Sequence, residues 1–94
     1  MTRAIGLSDQ VARREGRLHR EIDGRVVLLS AASGDVYELN ALGRRIWAAL
    51  EQPVKVETLC DGLAADFGVP IETIRQDTLA FLNQLSEHRL IATD

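Results

Sequence analysis

At Asn40 the hydrophobic pattern changes period, and that change limits the folds open to the chain. Before Asn40, apolar residues alternate or cluster in short β-branched runs. After it, they recur every three to four residues. Val26-Val27-Leu28-Leu29 and Val36-Tyr37-Glu38-Leu39 are rich in strand formers and flank the turn signal Ser33-Gly34-Asp35. Asp23-Gly24, just upstream, is a two-residue hairpin signal. Leu18 to Leu39 is therefore predicted to form an antiparallel meander of two or three strands. Residues 10–22 alternate only loosely, around Val11, Leu18 and Ile22. The run Arg13-Arg14-Glu15-Gly16-Arg17 admits a second reading as a mobile arm.

Beyond Asn40 the spacing predicts three helices. Asn40 is a good N-cap, because its side-chain oxygen can accept a backbone N–H from the first turn. Leu42, Gly43, Ile46, Trp47 and Leu50 then share one face, and Pro53 cannot continue the helix. The second stripe is Val56, Leu59, Cys60, Leu63, Ala64 and Phe67, with Gly68 placed to end it in a left-handed conformation. The third helix opens at Pro70, which suits a first-turn position. Its stripe is Ile71, Ile74, Thr78, Phe81, Leu82 and Leu85, and Leu79 widens it. Leu90 and Ile91 are expected to fold back on the core. A three-stranded sheet alone leaves an apolar face wet, so the helices must cover it. The predicted fold is α+β and winged-helix-like: an N-terminal three-stranded antiparallel sheet followed by three helices. Residues 1–9 are expected to be an N-terminal tail, and residues 10–94 the domain.

With 94 residues the chain makes one small domain. That is little room for a substrate cleft with a catalytic constellation. A nucleophile needs a base within reach, but Cys60 lies inside an apolar stripe and reads as a small buried hydrophobe. His19 and His88 are far apart and read as surface residues, and Asp61 and Asp66 as solvated. No glycine-rich phosphate loop and no metal-ligand spacing is present. The chain is thus expected to have no catalytic residue, to bind no metal and to need no cofactor. One cysteine cannot form an internal disulfide, which suits a reducing cytoplasm. No apolar run approaches the length of a membrane span, and no signal peptide is read.

Charge argues against nucleic acid. The formal net charge is −3. Residues 1–25 hold six arginines against four acids, whereas residues 26–94 hold five basic and ten acidic side chains. Either this is a solvated surface, or two oppositely charged faces meet different partners. A helix bearing Glu57, Asp61 and Asp66 would repel phosphate. Peptide binding fits better. A terminal strand at Asp35, Val36, Tyr37, Glu38 and Leu39 leaves backbone groups that an added strand can satisfy. The third helix could form the other wall. Thr78, Leu79, Phe81 and Leu82 cannot all point along one line. They are either a wide core face or partly a groove wall.

The run Arg20-Glu21-Ile22-Asp23-Gly24-Arg25-Val26-Val27-Leu28-Leu29, then Val36-Tyr37-Glu38-Leu39-Asn40, Gly43, Ile46-Trp47 and Leu50 resembles the PqqD-like family. So does the later Gln76-Asp77-Thr78-Leu79-Ala80-Phe81-Leu82 with Leu85 and Leu90-Ile91. The resemblance spans about residues 18–91. These are peptide chaperones, the precursor-recognition elements of ribosomally made, modified peptides. The resemblance implies three antiparallel strands and three helices. It also implies a precursor leader added as a strand beside Asp35–Leu39. The helix wall would be Ile74, Arg75, Asp77, Thr78, Phe81 and Leu82. Phe81 and its apolar neighbours would hold leader hydrophobes, and Arg75 and Asp77 would select leader charge. Tyr37, Leu39, Ile46 and Trp47 are expected to be structural. Two stretches differ from the founding quinone-cofactor member: the turn Ala31-Ala32-Ser33-Gly34 and the segment Glu51-Gln52-Pro53. They favour a free-standing leader-binding protein of a lasso-peptide pathway over quinone synthesis. A radical-enzyme peptide pathway is the alternative. The implied partners are the leader peptide and a leader peptidase or other modifying enzyme. A homodimer through the vacant sheet edge is a further expectation, and Arg13, Arg14 and Arg17 are a candidate enzyme-facing surface. A DNA-binding regulator and a plain oligomerisation module are the competing readings.

Overall fold

The computed structural model describes residues 4–14, 19–30 and 34–93. Arg17, Leu18 and Ser33, each used in the sequence reading, lie outside the described residues. In chain order the elements are β1 (Gln10–Arg13), β2 (His19–Ile22), β3 (Arg25–Leu29), β4 (Val36–Glu38), α1 (Ala41–Ala49), β5 (Val54–Lys55), α2 (Val56–Phe67), α3 (Ile71–Glu87) and β6 (Ile91–Thr93). The fold is α+β, with three helices and two antiparallel sheets of three strands each.

The expected meander is the sheet β2-β3-β4. Asp23 and Gly24 have φ of 51° and 78°, the paired positive angles of a type I′ turn, and bring Ile22 opposite Arg25. The second sheet, β5-β1-β6, joins three parts of the chain that are distant in sequence. Its strands have four, two and three residues for β1, β5 and β6, too short to show an alternation. Here the end of the chain folds back as expected: Leu90 and Ile91 are buried, and Ile91 pairs with Arg13.

The helices begin and end for local reasons. Asn40 Oδ1 accepts the Gly43 N–H at 2.8 Å and caps α1. A Cβ on Gly43 would come within 3.3 Å of that oxygen and 3.4 Å of Leu39, so a larger residue presses on the cap. Gly68 ends α2 at φ 61°. Pro70 stands at the N-cap of α3, one place earlier than its stripe suggests. The start of α2 has no side-chain cap. Instead the Asp9 and Leu7 carbonyls accept the N–H groups of Val56 and Glu57 at 2.9 and 3.0 Å. In the same stretch Ile5 is buried, and its N–H donates to Asn83 Oδ1 at 2.8 Å.

The core lies between the helices and the inner face of β2-β3-β4. Leu28, Ile46, Leu50, Leu63 and Leu82 are among its fully buried side chains. Leu39, Ile46 and Trp47 are buried too, in keeping with their expected structural role. No helix among the described residues is long and apolar enough to cross a membrane.

Candidate functional site

β4 is an edge strand, because β3 is its only partner among the described residues. The direction of its backbone groups follows from two hydrogen bonds. The Asp35 carbonyl accepts the Ser30 N–H, and the Leu39 N–H donates to the Val26 carbonyl, both at 2.9 Å. Bonding recurs at alternate residues of an antiparallel strand. Asp35, Tyr37 and Leu39 therefore bond inward to β3, and Val36 and Glu38 turn their N–H and C=O groups to the open edge. Side chains alternate as well. Tyr37 faces the helices, whereas Val36 is 61% exposed.

Between this edge and α3 lies a cleft of about 250 Å³. One wall is Tyr37, Glu38, Leu39 and Asn40, and the other is Phe81, Gln84, Leu85 and His88, with Leu28 and Leu90 below. A second hollow of about 170 Å³ shares Asn40 and Phe81 with the first. It runs on between the start of α1, at Leu42, Gly43 and Ile46, and Asp77 on α3.

The geometry of α3 divides the sequence-predicted wall in two. Successive residues turn about 100°. Ile74, Thr78 and Leu82 form the buried seam, so for them the core reading holds. Asp77, Phe81, Gln84 and His88 form the stripe along the clefts. Arg75 stands about 160° from Asp77 around the helix. It is close enough to Cys60, on α2, to act on that thiol electrostatically. The structure therefore brings Tyr37, Glu38, Leu39, Asp77 and Phe81 together. Asp35 and Val36 lie at the exposed start of the edge, and Arg75 lies on the far flank of α3.

Gln84 and His88 line the cleft and are candidate site residues that sequence reasoning missed. The signal is the 77-81-84-88 spacing, but three of its four members are polar and hide it. His88 is half-buried rather than solvated. Its Nε2 lies 2.8 Å from the Tyr37 hydroxyl, which lies 3.3 Å from Asp35 Oδ2. With the hydroxyl donating to the carboxylate, its oxygen accepts from the imidazole N–H. The rings are 4.8 Å apart, and Ser30 Oγ lies 3.5 Å from His88 Nδ1. This chain ties the end of α3 to the edge strand and gives the cleft one polar end. His19, also read as a surface residue, packs edge-on against Trp47 at 5.8 Å. Asp66 is paired rather than simply solvated: Arg45 Nε donates to its Oδ2 at 3.0 Å.

Two other expectations meet the structure here. Cys60 is fully buried. Burial pushes its thiol pKa up, against smaller opposite effects from the Thr78 hydroxyl and Arg75. It is a core side chain. Arg13, expected on an enzyme-facing surface, is half-buried and held in place: its Nε donates to the Trp47 carbonyl at 2.8 Å, and its guanidinium lies 4.9 Å from the centre of the Trp47 ring.

An open backbone edge beside an apolar helix wall is the arrangement that strand addition requires. A family model described as Coenzyme PQQ synthesis protein D (PqqD) matches residues 25–91, from β3 to the first residue of β6. The chain belongs to the PqqD family. PqqD-family members are non-catalytic accessory proteins that bind precursor peptides and work with modifying enzymes. The match contains both walls of the cleft. No curated protein and no solved structure matches the chain.

Proposed function

We propose that this PqqD-family protein is a non-catalytic adaptor. It captures the leader of a ribosomally made precursor peptide as an extra strand on β4 and presents it to a modifying enzyme. The observation that carries this reading is the register of β4. Val36 and Glu38 direct their backbone donors and acceptors outward, beside the apolar wall of Phe81 and Leu85. Backbone bonds would give affinity, and the cleft would choose alternate leader side chains. The recognition domain is taken as residues 10–94, with Ile5, Leu7 and Asp9 packed against it rather than hanging free as a tail. The leader-contacting residues are Val36, Tyr37, Glu38, Leu39, Asp77 and Phe81, with Gln84 and His88 added. A lasso-peptide pathway with a leader peptidase is the favoured setting, on the strength of the sequences Glu51-Gln52-Pro53 and Ala31-Ala32-Ser33-Gly34. The action is placed in the cytoplasm, where one buried thiol needs no partner. Without leader, the same open edge offers a route to a homodimer.

The test is fluorescence-polarisation binding to the leader of a precursor peptide encoded beside this chain, with duplex DNA as control. Saturable, sequence-selective leader binding with no DNA binding is expected. DNA binding without leader binding would leave only the fold.

A further inference from the structure

The clefts beside β4 carry charge of one sign at the α1 end. Asp77 lines the second hollow, next to Phe81, Leu42 and Ile46. Its carboxylate has no ion-pair or hydrogen-bond partner among the described residues. Among the described residues, no lysine or arginine lines either hollow. The cations of α1 and α3 are turned elsewhere: Arg44 Nη1 donates to the Leu39 carbonyl at 3.3 Å, Arg45 pairs with Asp66, and Arg75, beside Glu72, is on the opposite flank of α3. Glu38 faces Arg25 at 3.3 Å, so its charge is already answered. Among the described residues Asp77 is thus an anion without a countercharge, set beside Phe81, Leu42 and Ile46. Such a site favours a cation and disfavours an anion.

The spacing of helix and strand places that cation on a bound peptide. From Phe81 back to Asp77 is four helical residues, about 6 Å of rise at 1.5 Å per residue. Two residues of an extended strand cover about 6.6 Å. Side chains of an added strand face α3 at every second residue. An apolar side chain seated against Phe81 therefore has its next helix-facing neighbour, two positions away, opposite Asp77.

We propose that Asp77 is a specificity residue, selecting a lysine or arginine two positions from the apolar residue that seats against Phe81. The inference rests on the strand-addition reading above. It replaces the expected pair of opposite charges, Arg75 and Asp77, with a single sign.

A random ten-residue peptide library, displayed and selected on the immobilised full chain, tests both layers. Three proteins are compared: the wild type, Val36→Pro and Asp77→Arg. Val36 contributes no N–H to the pairing with β3, so proline there blocks the outer edge and spares the sheet. Asp77 is exposed in mid-helix, where arginine is a good helix former. Peptides selected by the wild type are expected to carry an apolar residue with lysine or arginine two positions away, and to be lost with Val36→Pro. Asp77→Arg is expected to keep the apolar position and turn the charged one to aspartate or glutamate. Exchanging that lysine for glutamate in one selected peptide is expected to weaken wild-type binding about fivefold, the scale of an exposed ion pair. Selected peptides that need the open edge but show no charge preference, or one unmoved by Asp77→Arg, overturn the role of Asp77 and leave the adaptor reading standing. Failure to select any peptide sensitive to Val36→Pro overturns both.

Discussion

Phe81 and Leu82 are adjacent in sequence and differ in what they touch. Phe81 is half-buried on the cleft, whereas Leu82 is fully buried among the core residues. Removing a buried leucine side chain to alanine costs about 2–5 kcal/mol. Leu82→Ala is therefore expected to lower the urea midpoint sharply and to weaken leader binding only through unfolding. Phe81→Ala should do the reverse: a small stability loss, and leader affinity lower by about tenfold or more, as for an interface anchor. Equal losses of stability and affinity for Phe81→Ala would make it a core residue. Cys60 makes a prediction of a different kind. A thiol with a raised folded pKa keeps its proton when the unfolded chain has lost it. Its stability contribution is full below the ordinary thiol range and declines as pH rises from there through the raised folded value. Urea unfolding from pH 7 to 10 should show that decline in the wild type and less of it in Cys60→Ala. Labelling of the native thiol should be slow and should follow unfolding. Rapid labelling under native conditions would contradict the burial.

At the scale of elements, long periodic segments were legible in the sequence and short pairings were not. The stripes of α1, α2 and α3 each have several apolar members, and Asn40 and Gly68 mark ends by chemistry that belongs to those residue types. β2, β3 and β4 were legible through their turns and β-branched runs. The sheet β5-β1-β6 was not, because its register couples Val11 to both Val54 and Thr93. No local pattern encodes a pairing across that distance. The cleft was half legible. Its edge strand could be placed, but the helix wall depended on rotation. A wide apolar stripe leaves open which flank faces the core, and only the packed position of α3 separates Ile74, Thr78 and Leu82 from Asp77, Phe81, Gln84 and His88. The edge strand itself carries the sharpest test. Val36→Pro is expected to keep the circular dichroism and melting of the wild type and to abolish strand addition. Tyr37→Pro removes the N–H that bonds to β3 and breaks contact with His88, so it should destabilise the sheet as well. If Val36→Pro binds leader as the wild type does, the peptide does not pair with β4.

For the whole molecule, the two sheets have different tasks. The β5-β1-β6 sheet ties residues near both ends of the chain to the start of α2, and Ile5 and Leu90 close the core beside it. The β2-β3-β4 sheet spends its inner face on the core and leaves one edge open. A domain of this size has little stability to spare, and ligand that binds only the folded state adds to it by mass action. Leader at 100 times its dissociation constant should add about 2.7 kcal/mol. For a domain of 60–100 residues each kcal/mol moves the melting temperature by roughly 4–8 °C, so a rise of about 10 °C or more is expected. The added strand should also appear as slowed amide exchange at Val36 and Glu38, whose N–H groups are open to solvent without leader, while Tyr37, already bonded to β3, should change little. Protection that rises at Tyr37 and not at its two neighbours would mean that leader stiffens the sheet from elsewhere. Protection confined to Val36 and Glu38, appearing together with the thermal shift, would mean that one peptide strand both completes the edge and stabilises the fold.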